Sequence, residues 1–139
     1  MHKKVLVGLD GSEGSLKALE EAILLARLSP MELDTISVED LPRFPGTMGE
    51  VIEEKDAAER LFEPAIAHGK KMAEEHGVKL RSYMMVGHPV KTIVEFIKEE
   101  KYDLLIIGFM GHSAIYERVM GGTCQALVRL APCAVLVVK

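Results

Sequence analysis

Four glycines, Gly108, Gly111, Gly121 and Gly122, punctuate an otherwise apolar stretch in the last third of the chain, and Asp10 stands near its start in the run Asp10-Gly11-Ser12. A glycine-rich turn between a buried strand and a helix start leaves backbone N–H groups without partners, and such groups hold anions. Phosphate is the expected anion and a nucleotide the expected ligand. Gly108 lets the chain turn off its strand, and Gly111 admits a phosphate close to the backbone. Gly121 and Gly122 return the loop to a helix whose dipole faces the anion. Thr123 caps that helix or offers its hydroxyl to a phosphate oxygen, and His112 is a further candidate for the phosphates. Asp10, at a strand end, suits a polar ligand contact; its alternative role is to accept a hydrogen bond from the turn that follows.

These residues need a frame, and the apolar pattern supplies one. Val5-Leu6-Val7-Gly8-Leu9 reads as a strand ending at the Asp-Gly-Ser turn. Leu16, Leu19, Ala22, Ile23 and Ala26 then recur at helical spacing up to Ser29-Pro30. Residues 33–38 read as a second strand, and Asp40–Gly49 as an irregular loop. A helical stripe runs from Ala58 to Ala73, with Pro64 expected to kink or split it, and His76-Gly77 stops it. A third strand (78–86) leads to a helix with Pro89 in its first turn, where His88 reads as a helix-start residue rather than a catalytic base. Leu104–Ile107 and Ala134–Val138 are strands four and five.

Apolar strands alternating with amphipathic helices predict one α/β domain over residues 1–139. It is an open five-stranded parallel sheet of order 3-2-1-4-5, helices on both faces, Rossmann-like. Ligands of such sheets sit beyond the carboxyl ends of the strands where the winding reverses. Here that crevice lies between strands one and four, at Leu9-Asp10 and Ile107-Gly108.

The totals narrow the function. Hydrophobic residues make up 48% and charged residues 27%, which excludes wholesale disorder. A net charge of −4 argues against a nucleic-acid or membrane-surface partner, and 5% aromatics without tryptophan against base stacking. No apolar run approaches the roughly 20 residues of a bilayer span. The chain enters a strand at once with no signal-peptide pattern, and a cytoplasmic protein is expected. Cys124 and Cys133 have no CxxC spacing and read as buried apolar side chains. No GxxxxGK[ST], nucleophile elbow or metal-ligand cluster occurs, so catalysis beyond slow ATP hydrolysis is not expected.

Gly108, two residues, Gly111, nine residues, Gly121 is similar to the nucleotide-binding signature of the universal stress protein family. The opening Val5–Ser12, the segments Val86–Pro89 and Tyr102–Gly108, and the closing Ala131–Val138 resemble the family's other motifs in the same order. The resemblance implies an adenine nucleotide, ATP or AMP, with the need for magnesium open. It places Asp10 by the ribose or a metal, the backbone of Val38 and the side of Leu9 against adenine, and Gly108, Gly111, Gly121 and Gly122 around the phosphates. It also implies a homodimer formed through strand five, Ala134–Val138. Two departures stand out. Gly122 occupies the place of a serine or threonine, a loss on the order of 1.5–3 kcal/mol if a hydrogen bond to phosphate goes with it. Phe109 and Met110 stand where relatives commonly carry polar or basic residues. The expected function is a nucleotide-binding module of the stress response without dedicated catalysis, with the Asp40–Gly49 loop available to a protein partner. The alternative is a nucleotide-free dimeric interaction protein of the same fold.

Overall fold

The apolar run at the start of the chain forms the central strand, β1 (Lys4–Gly8), whose Val5, Leu6 and Val7 are fully buried. The structure is a computed structural model that describes residues 4–40, 48–109 and 122–139, and within 48–61 the backbone alone. After β1 come α1 (Glu13–Leu28), β2 (Glu32–Asp40), α2 (Met48–Glu75), β3 (Leu80–Gly87), α3 (Pro89–Glu100), β4 (Leu104–Gly108), α4 (Gly122–Leu130) and β5 (Ala134–Val138). The strands pair in parallel in the order β3-β2-β1-β4-β5, as the alternation of elements predicts.

Alternation along the strands sends side chains to two cores. Val5, Val7, Leu9, Leu33, Leu104 and Ile106 face α1 and α2, while Leu6, Ile36, Leu105 and Ile107 face α3 and α4. Burial on both faces is what makes β1 and β4 read as unbroken apolar runs. Among the described residues, no helix is long and apolar enough to cross a membrane.

Helix ends follow local chemistry. The Ser12 side chain accepts from Ser15 N–H at 3.2 Å and caps α1. Gly77, at φ +66°, ends α2, with Val78 N–H on the Ala73 carbonyl at 2.8 Å. Pro89 opens α3.

Two expectations need correction. Pro64 does not divide the helix, which runs unbroken from Met48 to Glu75. Pro64 is exposed, while Phe62, Ala65 and Ala73 keep the helix on the core. The loop placed at Asp40–Gly49 is shorter at both ends. Val38, Glu39 and Asp40 continue β2 by pairing with Met85, Val86 and Gly87, and α2 already starts at Met48. Residues 41–47 lie outside the described residues.

A polar clamp ties the opposite end of the sheet together. Asp34, fully buried on β2, accepts two hydrogen bonds from Arg81 (2.9 and 3.1 Å) and one from the Tyr102 hydroxyl (2.6 Å). Burial, and then the bond to Asp34, push the Tyr102 phenol well above its ordinary range. The same carboxylate, by hydrogen bond and charge, raises the Arg81 guanidinium. Lys4 Nζ lies 4.7 Å from the centre of the Tyr102 ring and donates to the Glu100 carbonyl at 2.7 Å. The Lys4 N–H meets the Asp103 carboxylate at 3.0 Å. Strands β1 to β4 are thus registered at their amino ends, which fixes where their carboxyl ends meet.

Candidate functional site

The carboxyl rim of the sheet is built around the end of β1. Leu9 N–H donates to the Ile36 carbonyl at 2.9 Å, and the Ser37 hydroxyl donates to the Leu9 carbonyl at 2.6 Å. Both backbone groups of Leu9 are therefore spent on holding β1 against β2. The Leu9 side chain, 2% exposed, closes the core beneath the rim. Val38, next along β2, packs half-buried on the α3 side.

Past Leu9 the chain turns sharply. Asp10 Oδ1 accepts from Ser12 N–H at 2.9 Å across Gly11, whose φ of +85° disfavours any side chain. The Ser15 hydroxyl donates back to the Ser12 carbonyl at 2.9 Å. The Asp-Gly-Ser turn is therefore a hydrogen-bonded unit that aims the start of α1 at the rim. Of the two roles read for Asp10, the turn-holding one is present, on a carboxylate that is only half-buried.

β4 meets this turn directly. A Cβ on Gly108 would lie 2.6 Å from the Gly14 carbonyl carbon, 2.7 Å from its oxygen and 3.0 Å from Ser15 N. Glycine is required here because the strand end rests on the backbone of the first turn of α1. This crowding is what brings Gly108 and the Asp10 turn into one place. Phe109 follows, its N–H on the Val138 carbonyl at 2.9 Å and its ring 5.6 Å from Lys139 Nζ.

α4 runs back toward the start of β5 and so opens on the same rim. Its first residues, Gly122 and Thr123, are exposed, and no described residue lies within 4 Å of where a Gly122 side chain would stand. The amides of a first helical turn have no acceptor within the helix itself. Gly111, His112 and Gly121, and with them Met110, lie outside the described residues. His88 is the exposed first cap of α3 and makes no side-chain capping bond.

The rim thus assembles Leu9, Asp10, Val38 and Gly108, with Gly122 and Thr123 opening toward it. Sequence reading missed Ser37, whose hydroxyl holds the two strand ends together, and Gly14, whose backbone carbonyl Gly108 rests against. The only signal for Ser37 was a hydroxyl among apolar neighbours on a buried strand. Chemically, the arrangement offers a carboxylate, an exposed hydroxyl and first-turn amides, a set suited to binding a polar ligand with an anionic tail. Among the described residues no three His, Cys, Asp or Glu side chains gather as metal ligands. Burial raises the thiols of Cys124 and Cys133, so neither is an activated nucleophile.

Comparison with known proteins agrees with this frame. The model of the universal stress protein family matches residues 1–139. The chain is 35% identical over 141 residues to universal stress protein MJ0531 of Methanocaldococcus jannaschii, covering 100% of this chain and 83% of that protein. Universal stress protein UspA from Lactobacillus plantarum has the same fold, with a TM-score of 0.83 at 22% identity over 99% of this chain and 98% of that one. A universal stress protein solved in complex with cAMP matches at TM-score 0.76 and 27% identity, covering 99% and 97% of the two chains.

Proposed function

The chain belongs to the universal stress protein family, and from that membership we propose that it is an adenine-nucleotide-binding regulatory module of the stress response. The observation that carries this reading is the contact of Gly108 with the backbone of Gly14 and Ser15, which sets the carboxyl end of β4 against the Asp10 turn. A nucleotide laid across that junction has its ribose by Asp10 and its base over the end of β2 at Val38. Its phosphates reach toward the exposed first turn of α4. The relative solved with cAMP supports an adenine nucleotide as the ligand class.

Calorimetric titration with ATP, AMP and cyclic AMP, with and without magnesium, tests it. Saturable binding of at least one is expected, and no heat with any of them at millimolar concentration overturns the reading. Asp10→Ala should weaken binding roughly ten- to hundred-fold, the worth of a hydrogen bond to a charged or strongly polar partner. Asp10→Asn keeps an oxygen for Ser12 N–H and separates the turn from the charge. Equal affinity in Asp10→Asn and the parent protein would assign Asp10 to the turn alone.

A second reading, a nucleotide-free interaction protein of the same fold, draws on Phe109, whose N–H is committed to Val138 and whose ring lies beside Lys139. It requires an empty rim in the nucleotide titration.

Both readings include a homodimer through β5. That strand is an edge, wholly apolar, with Ala134 and Leu136 exposed, and an edge of this kind pairs with another copy. Leu136→Lys should shift the protein to monomer in sedimentation velocity. An unchanged distribution would place the contact elsewhere.

A further inference from the structure

At the far end of the sheet from the Asp10–Gly108 rim, the last turn of α1 and the His76–Lys79 turn that follows α2 flank a groove of about 390 Å³, within the size range of small-molecule sites. Its ionisable lining is all of one kind: Arg27, His76 and Lys79. Its floor is apolar, with Ala26, Met31 and Val78 packed on the core. In a chain of net charge −4, such a grouping is locally opposite to the whole.

Cations at helix ends often serve the terminal carbonyls. Here backbone N–H groups already take several of them. Ser29 N–H bonds the Leu25 carbonyl, Gly77 N–H the Glu74 carbonyl and Val78 N–H the Ala73 carbonyl. Among the described residues, the side chains of Arg27, His76 and Lys79 make no hydrogen bond or ion pair. Three donors without a partner among the described residues therefore border the apolar floor.

We infer that this groove, lined by Arg27, His76 and Lys79 over Ala26, Met31 and Val78, binds a small organic anion with a short apolar body. The guanidinium and ammonium groups hold the anionic head, and the floor takes the tail. The site is independent of the nucleotide rim and does not rest on that reading.

The test is a titration of the full chain, free of nucleotide, with sodium hexanoate, sodium acetate and inorganic phosphate at matched ionic strength, followed by amide NMR shifts. Hexanoate should move the amides of Gly77, Val78 and Lys79 and that of Arg27, and bind roughly tenfold tighter than acetate because only it covers the floor. The double variant Arg27→Gln, Lys79→Gln alters two exposed side chains and should weaken hexanoate roughly tenfold with the rest of the spectrum unmoved. Inorganic phosphate binding as tightly as hexanoate would remove the apolar part of the proposal. Absence of shifts in the groove, or shifts unaltered by the double variant, would overturn it.

Discussion

Gly108→Ala should lower stability by about 3 kcal/mol, the upper end of what a methylene forced into a packed site usually costs. The reason is the identity of the neighbours: the new Cβ meets the Gly14 carbonyl at 2.6 and 2.7 Å, and main chain cannot swing aside as a side-chain tip can. For a chain of this size that corresponds to a fall of roughly 10 °C in melting temperature. Relief of the clash requires the end of β4 to move away from the first turn of α1. The Asp10 turn and the strand end then part, and nucleotide affinity should fall with stability. Gly122→Ala is the matched control, because no described residue lies within 4 Å of its added Cβ. Urea unfolding of the pair should show a large drop for position 108 and none at position 122. Equal midpoints would mean that the strand end is not confined by the helix.

Asp34→Ala should have an effect of similar size, about 3 kcal/mol, because it breaks a buried charged cluster from its centre. Two bonds from Arg81 and one from Tyr102 end on this carboxylate, and the phenol is left buried without its acceptor. Tyr102→Phe removes one of the three and should cost about 1–2 kcal/mol. The cluster also leaves a mark on alkaline stability. The folded-state pKa of Tyr102 lies above its unfolded value, so the folded chain keeps a proton that the unfolded chain releases. That contribution is complete below about pH 10, the ordinary tyrosine value, and is lost as pH rises beyond it. Part of the shift comes from Asp34, so the alkaline decline in unfolding free energy should be shallower in Asp34→Ala. An unaltered alkaline profile in that variant would mean that Asp34 has no part in the shift.

Much of this architecture is legible in the sequence because its signals are local. Burial on both faces makes Val5–Val7 and Leu104–Ile107 apolar without interruption, and that pattern needs no knowledge of what lies above or below. Ser12, Gly77 and Pro89 mark helix ends through their own side chains or backbone freedom. What escaped reading depends on residues far apart in the chain. Asp34 sits in an alternating strand where a carboxylate suggests the wet face. Only the arrival of Arg81 and Tyr102 makes it a buried anchor. Gly108 reads as a turn glycine beside a ligand, yet its crowding comes from Gly14, a position unremarkable on its own. Of the kink or split expected at Pro64, the split does not occur, for a related reason. A proline rule describes the local backbone, while the packing of Phe62, Ala65 and Ala73 carries the helix through. At the site, the ends of β1 and β4 were legible as a pair because the sheet order dictates it, whereas the Ser37 tie between β1 and β2 needed side-chain geometry.

The bond from Lys4 to Asp103 spans 99 residues of sequence, and it bears on how the protein is made. Synthesis delivers the middle of the sheet first and the strand that must flank it almost last. Through most of translation, β1 has a neighbour on one side only, and its other flank is an unsatisfied ribbon of valine and leucine amides. That flank stays unpaired until β4 is made, and the rim that would hold a nucleotide cannot exist on any amino-terminal fragment that stops short of β4.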